Sequence, residues 1–292
     1  MFQEYLDDLN KQSLPNISLG ESLSGFSGEK LLQAISHACK LVNYSNPDQI
    51  YVEVGVFQGL SLTSVCAANP SLQCFGIDNF SQFDSEGRNK NLTMDRLKKF
   101  TAGNGSLIDL DFEDALINLN DYIGDSKVGV YFIDGPHDYR SQYLCLEFAK
   151  PNLGQNAFVF VDDSNYEHVR QANYDWLVAN PDYTLLYERY TDKHPVNMRS
   201  DELLAAKEGW WNGVNILVHD PDKTLARKFP KLNGDKSRFY NDHIVHQSKY
   251  QAVVTQILKS YSMGVVVAAL YPLYLRIFKS KLLKSFSESN ID

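Results

Sequence analysis

The sequence predicts an α/β fold, a doubly wound and mostly parallel seven-stranded sheet followed by a C-terminal helical appendage. Three observations carry that expectation. Short runs rich in β-branched and aromatic residues alternate with segments whose apolar residues recur at helical spacing, the pattern of a sheet covered on both faces. Two of those runs, residues 128–133 and 158–161, stop abruptly at acids: Asp134 after the first, Asp162 and Asp163 after the second. An earlier run, residues 50–54, leads directly into Gly55 and Gly59, the punctuation of a tight strand-to-helix turn.

Taken in order, residues 1–28 form a polar lead-in with little periodic pattern. Leu31, Leu32, Ile35, Ala38 and Leu41 then recur at helical spacing. The turn Asn46-Pro47-Asp48 precedes the first strand, residues 50–54, and a helix carrying Leu62, Val65 and Cys66 follows and ends near Asn69-Pro70. The second strand, residues 74–77, stops at Asp78. A helix over 94–100, a strand over 107–110 and a helix over 113–122 come next. The strand over 128–133, a helix over 139–149, the strand ending at Asp162 and a helix over 169–178 complete the parallel part. Residues 183–187 and 214–218 are expected to close the sheet as an antiparallel pair. The connection over 189–211 is unusually long, and such loops tend to be functional. Its Trp210-Trp211-Asn212 reads either as a flat wall for a substrate ring or as aromatic caps on the core. The boundaries expected are a lead-in (1–28), a catalytic body (29–222) and a basic extension with an apolar helix (223–292).

With 292 residues, 43 % of them hydrophobic, the chain is large enough for one substantial core plus an appendage. A net charge of −8 argues against a nucleic-acid binder, which must neutralise phosphates. The charge is uneven: from Lys223 onward 12 Lys/Arg face 4 Asp/Glu, +8, so the first 222 residues carry −16. A basic tail on an acidic body points to a surface of its own. Cys39, Cys66, Cys74 and Cys145 sit in apolar patterns without zinc-site spacing and read as reduced core residues. The first ten residues are acidic and lack the order of a secretory leader, so the expected location is cytoplasmic, peripheral at a membrane if the tail binds one.

In an open parallel sheet, ligands bind in the crevice outside the carboxyl ends of the strands. Neighbouring strands lie about 4.8 Å apart, so Asp134, Asp162 and Asp163 at adjacent tips can share one cation, with His137 beside them as a candidate base. All-oxygen ligation suits a hard ion such as Mg²⁺. The bland alternative makes Asp162-Asp163 a helix cap and Asp134 the start of a turn. At the glycine turn, Glu53 stands where a dinucleotide-binding turn has its first glycine, and a carboxylate there would repel a pyrophosphate. Asp78 ends the second strand, where a carboxylate can take both ribose hydroxyls. Asp111-Phe112 follows the third, where an acid and an aromatic can meet an adenine edge and ring. Asp78 as a turn cap and Phe112 as core remain the alternatives.

Over roughly residues 30–220 the chain resembles class I S-adenosylmethionine-dependent methyltransferases. The run Glu53 to Gly59 is similar to the E-x-G-V-x-x-G turn of the macrocin and mycinamicin sugar O-methyltransferases. Ile133-Asp134-Gly135-Pro136-His137-Asp138-Tyr139 matches their I-D-G-x-H-x-Y motif, and Val161-Asp162-Asp163 their second metal motif. The resemblance implies that Glu53, Gly55 and Gly59 line the methionine and sugar part of the cofactor, that Asp78 holds the ribose, that Asp111 and Phe112 hold the adenine edge, and that Asp134 is also cofactor-binding. It implies a magnesium ion on Asp134, Asp162 and Asp163, and His137 as the base that deprotonates a sugar hydroxyl. Pro136 departs from relatives that carry an acid there. Tyr139, Asn165 and His168 are candidate acceptor contacts.

The reading is a methyltransferase acting on a hydroxyl of a sugar or glycosylated small molecule. A hydroxylase resembling the cephalosporin hydroxylase group, or a non-catalytic module recruited through its tail, are the alternatives, and a nicotinamide dehydrogenase is the weakest. Between Lys259 and Arg276 lie sixteen uncharged residues interrupted by Pro272, with Lys279, Lys281 and Lys284 after them. Residues 259–284 fit a helix packed on the body or on a second subunit, or one lying at a membrane surface. A spanning helix wants about 20 apolar residues.

Overall fold

A computed structural model of the chain describes residues 1–11, 14, 23, 25–84 and 86–232. The tail expectation over 259–284 lies outside the described residues. Among the described residues no helix is long and apolar enough to cross a membrane.

Seven strands form one sheet in the order β3-β2-β1-β4-β5-β7-β6. They are β1 (Gln49–Val54), β2 (Cys74–Ile77), β3 (Gly105–Ile108), β4 (Lys127–Ile133), β5 (Leu153–Val161), β6 (Tyr183–Arg189) and β7 (Val214–His219). The first five run parallel, and β7 enters antiparallel between β5 and β6. The expected closing pair is thus present, and β7 rather than β6 adjoins the parallel part. The helices are α1 (Phe2–Lys11), α2 (Glu29–Ser45), α3 (Leu60–Ala68), α4 (Asn89–Phe100), α5 (Phe112–Ile117), α6 (Asn120–Ile123), α7 (Tyr139–Ala149), α8 (Glu167–Ala179) and α9 (Ser200–Glu208).

Alternation along the strands sorts the core into two layers. Val52, Ile77, Tyr131, Val159 and Leu217 face α5 to α8, through Leu116, Cys145, Leu146, Val169 and Trp176. Tyr51, Phe132, Phe158, Phe160 and Ile216 face α1 to α4, through Tyr5, Leu31, Ile35, Leu62 and Leu97. Burying such a side chain contributes about 1.5–3 kcal/mol, so both helical layers are anchored. The four cysteines are buried and unpaired, as expected.

Three local differences have physical causes. Residues 2–11 of the lead-in form a helix, because Phe2, Tyr5 and Leu9 share one face and pack on the sheet. Phe2 meets Phe158 edge-on at 5.3 Å, and the Tyr5 hydroxyl donates to the Ala34 carbonyl at 3.1 Å. The single helix expected over 113–122 is two short ones, broken where Asn118 turns its amide back to the Asp114 carbonyl. The long connection after β6 holds α9 as well as loop. Residues 223–232 stay on the body, with Leu185 donating to the Lys228 carbonyl at 3.1 Å.

The sheet order reverses at β1, whose neighbours are β2 and β4, and that is where a crevice must open above the strand tips. Register aligns Val54 with Ile133 and Ile133 with Val161. Gly55, Asp134 and Asp162 therefore leave the sheet side by side.

Candidate active site

The turn after β1 is built for close backbone approach. Gly55 has φ +88°, and a Cβ there would lie 1.8 Å from the Asp134 carbonyl oxygen. Gly59 caps α3 with φ +78° against the Thr93 side chain. Asp78, at the tip of β2, ties the turn down. Its carboxylate accepts from the backbone N–H groups of Val56 (2.9 Å), Phe57 (2.7 Å) and Phe80 (2.7 Å). From α4, Arg96 donates to the Gln58 carbonyl at 2.7 Å.

Glu53 lies beneath this turn, wholly buried. It accepts from the Tyr51 hydroxyl at 2.5 Å and from Ser61 in the first turn of α3 at 3.0 Å. Burial pushes its carboxyl up to about 8, against the lowering pull of those hydrogen bonds. The sign follows. Between the unfolded value of 4.5 and about 8 the folded chain holds a proton the unfolded chain has lost. Stability attributable to Glu53 therefore falls as pH rises through that window, with an upper bound of about 5 kcal/mol. Glu53→Gln should flatten the wild-type decline in melting temperature between pH 5 and 8; parallel curves would show that Glu53 titrates normally.

The corner beyond β4 and β5 gathers the other acids. One ligand atom each from Asp134, His137 and Asp163 lie within 4.8 Å of one another. His137 Nε2 stands 2.7 Å from Asp163 Oδ2, and its ring stacks on Tyr166 at 6.0 Å. Asp163 takes φ +52°, a left-handed conformation that Asp tolerates better than most residues. Its other oxygen, Oδ1, accepts from Asn212 Nδ2. Burial acts to raise the Asp163 carboxyl, but the neighbouring His137 and the Asn212 amide outweigh it and hold it below its ordinary value.

Asp162 differs. It is 2 % exposed, and neither carboxylate oxygen has a hydrogen-bond partner. Burial raises its pKa well above the ordinary value, and the adjacent Asp163 charge adds to that. Half-buried Asp134 is raised likewise, first by desolvation and then by the Asp162 and Asp163 charges. Asp163 does not cap α8: Tyr166 is the capping residue and no side chain bonds there.

The remaining expected residues fall in several places. Exposed Asp111 caps α5, accepting from the Glu113 N–H at 2.9 Å, while Phe112 is half-buried against the core. Tyr139 turns its hydroxyl to Asp175 on α8 at 2.8 Å, and His168 is buried with its ring on Tyr166 at 5.3 Å. Asn165 joins the β5 end to the long connection, as its amide nitrogen donates to Asn212 Oδ1 at 3.0 Å. Trp210 packs on Tyr187 at 5.3 Å, whereas Trp211 stacks with Phe26 at 6.1 Å and Phe26 with Phe57 at 5.4 Å. One tryptophan therefore caps core and the other extends an aromatic surface at the glycine turn. Asn212, fully buried against Asp163, carries no spacing signal that marks it as a site residue.

The sheet order, the reversed β7 and the glycine turn at the switch point define a Rossmann-like methyltransferase fold. Residues 52–164 match the family model described as a methyltransferase domain, and the chain is an enzyme that carries this domain. No curated protein matches the chain. Among solved structures it is similar to an O-methyltransferase from Bacillus cereus in complex with SAH, at 12 % identity and TM-score 0.47, covering 75 % of this chain and 90 % of that one. It is also similar to the O-methyltransferase TomG from Streptomyces achromogenes, involved in tomaymycin synthesis and complexed with SAM, at 15 % identity and TM-score 0.46, covering 75 % and 89 %.

Proposed function

We propose that this enzyme moves a methyl group from S-adenosylmethionine to a hydroxyl of a sugar or glycosylated small molecule, with a hard divalent cation such as Mg²⁺ at Asp134, Asp162 and Asp163. The observation that carries the reading is the meeting of Asp134, His137 and Asp163, one ligand atom of each within 4.8 Å of the others. Asp162 stands outside that group and enters the reading from the neighbouring tip of β5, in register with Asp134. The residues fit a cation. Asp162 buries two unpartnered carboxylate oxygens, and Asp134 is pushed toward protonation by burial and by its acidic neighbours. A positive ion would relieve both.

A bound divalent cation lowers the pKa of a coordinated hydroxyl and so makes an oxygen nucleophile at neutral pH. The chain's own residues supply the rest. With Nε2 held 2.7 Å from Asp163 Oδ2 and donating to it, the ring would carry its basic lone pair on Nδ1, and there His137 would accept the proton of the substrate hydroxyl. The open backbone at Gly55 and Gly59 admits the methionine and sugar part of the cofactor, with Glu53 acting from beneath the turn. Asp78 Oδ1 accepts one amide and keeps a lone pair for a ribose hydroxyl. Exposed Asp111 and the edge of Phe112 stand at the next strand tip for the adenine.

The test is transfer from methyl-labelled cofactor to a panel of glycosides, with and without chelator. Chelation should cut the rate by about 100-fold or more, with recovery on adding Mg²⁺. His137→Ala should lose the acid limb of the rate–pH profile. Transfer undiminished in chelator rules out the cation, and an unchanged acid limb rules out His137 as base.

A further inference from the structure

A directed chain of hydrogen bonds runs from the long β6–β7 connection to the acidic corner. The Thr191 N–H donates to Asn165 Oδ1 at 2.9 Å, which fixes which way the Asn165 amide faces. Its Nδ2 then donates to Asn212 Oδ1 at 3.0 Å and also to the Thr191 hydroxyl. With Oδ1 occupied by a donor, the Asn212 amide must present Nδ2 to Asp163, and it donates to Asp163 Oδ1. Asp163 Oδ2 is left toward His137 and Asp134. The backbone repeats the link, since the Asn165 N–H donates to the Asn212 carbonyl at 3.0 Å. Gly213 makes the approach possible. It has φ +87°, and a Cβ there would lie 2.6 Å from Asn165 Oδ1. Asp163 and Asn165 both leave the end of β5, whereas Asn212 reaches them from 49 residues beyond Asp163 and is fully buried. A neutral amide held in one orientation beside a carboxylate is how proteins aim a ligand oxygen without spending its charge.

We infer that Asn212 is a positioning residue that aims Asp163 into the cation site and couples that site to the chain segment 190–213. This rests on the acidic corner binding a cation. Coupling is reciprocal, so a cation on Asp163 must in turn steady the segment that carries Trp211.

The probe is Mn²⁺ alone, with the full chain, read by calorimetry and electron paramagnetic resonance. Asn212→Leu should weaken Mn²⁺ binding by about 10–100-fold, the usual loss when an outer partner of a ligand is removed. Asn165→Ala, which leaves Asn212 in place but frees its orientation, should weaken it several-fold. Mn²⁺ should slow amide hydrogen exchange across residues 190–213 in the wild type and not in Asn212→Leu. A merely structural role would lower the melting temperature of both variants and leave Mn²⁺ affinity unchanged, which overturns the inference while the cation reading stands. Wild type that binds no Mn²⁺ overturns both. If Asn212→Leu does not fold, Asn165→Ala decides by the same two measurements.

Discussion

Asp162→Ala is expected to reduce methyl transfer by about a thousandfold or more while leaving S-adenosylmethionine affinity within about twofold. The reason lies in where the carboxylate sits. It is buried at the tip of β5, in register with Asp134 at the tip of β4, and both of its oxygens lack a partner. Loss of several kcal/mol of cation-assisted stabilisation corresponds to that rate factor. The same change should leave the cation-free protein no less stable, and by about 1–3 kcal/mol more stable at pH 8, because it removes a buried group with nothing to bond. The sign agrees with its raised pKa: the folded state disfavours the ionised form, so the stability this group costs grows as pH rises. Steady-state rates, cofactor titration and melting curves in chelator check the three parts. A variant with wild-type turnover would remove Asp162 from the mechanism. One that melts well below wild type in chelator would show that the carboxylate is satisfied in solution.

Gly55→Ala is the second large effect. The added methyl would have to share space with the Asp134 carbonyl, 1.8 Å away, and the residue would keep a φ of +88° that L side chains rarely adopt. Neither neighbour can give way easily. The Gly55 N–H is bonded to the Ile77 carbonyl at 3.0 Å, and the Asp134 N–H to the Val54 carbonyl at 2.9 Å. Left-handed strain alone costs about 1–3 kcal/mol, and the clash adds to it. The expected outcome is cofactor affinity down by at least about tenfold and an unfolding midpoint shifted by several degrees. The damage should reach the cation site too, because the displaced carbonyl belongs to a proposed ligand. Gly87→Ala is a fair control: it also has positive φ, but nothing lies within 4 Å of its Cβ position. Equal losses in both variants would mean that strain, and not the close approach to Asp134, sets the effect.

Much of the site was legible because strand tips are local events. A strand of β-branched and aromatic residues that ends in aspartate delivers that aspartate to the carboxyl edge wherever the strand lies, and Asp78, Asp134 and Asp162 all stand there. Side-chain direction was not legible. Glu53 looked like a crevice residue, yet strand alternation turns it to the same face as Tyr51, into the base of α3. Asp78 serves the turn's backbone amides, and Asp111 serves a helix cap. The helical face of Phe2, Tyr5 and Leu9 was written in the lead-in, but ten residues are too few to hold a helix unless a sheet is there to receive them.

The sequence by itself determined the alternation of strands and helices, the glycine turn and the acids that end the strands, since each depends only on residues near one another in the chain. Tertiary structure alone decided that β7 inserts beside β5, that His137 pairs with Asp163, and that Asn212 reaches Asp163 from 49 residues away. Those contacts join segments with no common periodicity. They exist because two helical layers and a sheet must bury their apolar faces together, and only that packing brings the polar groups within bonding distance.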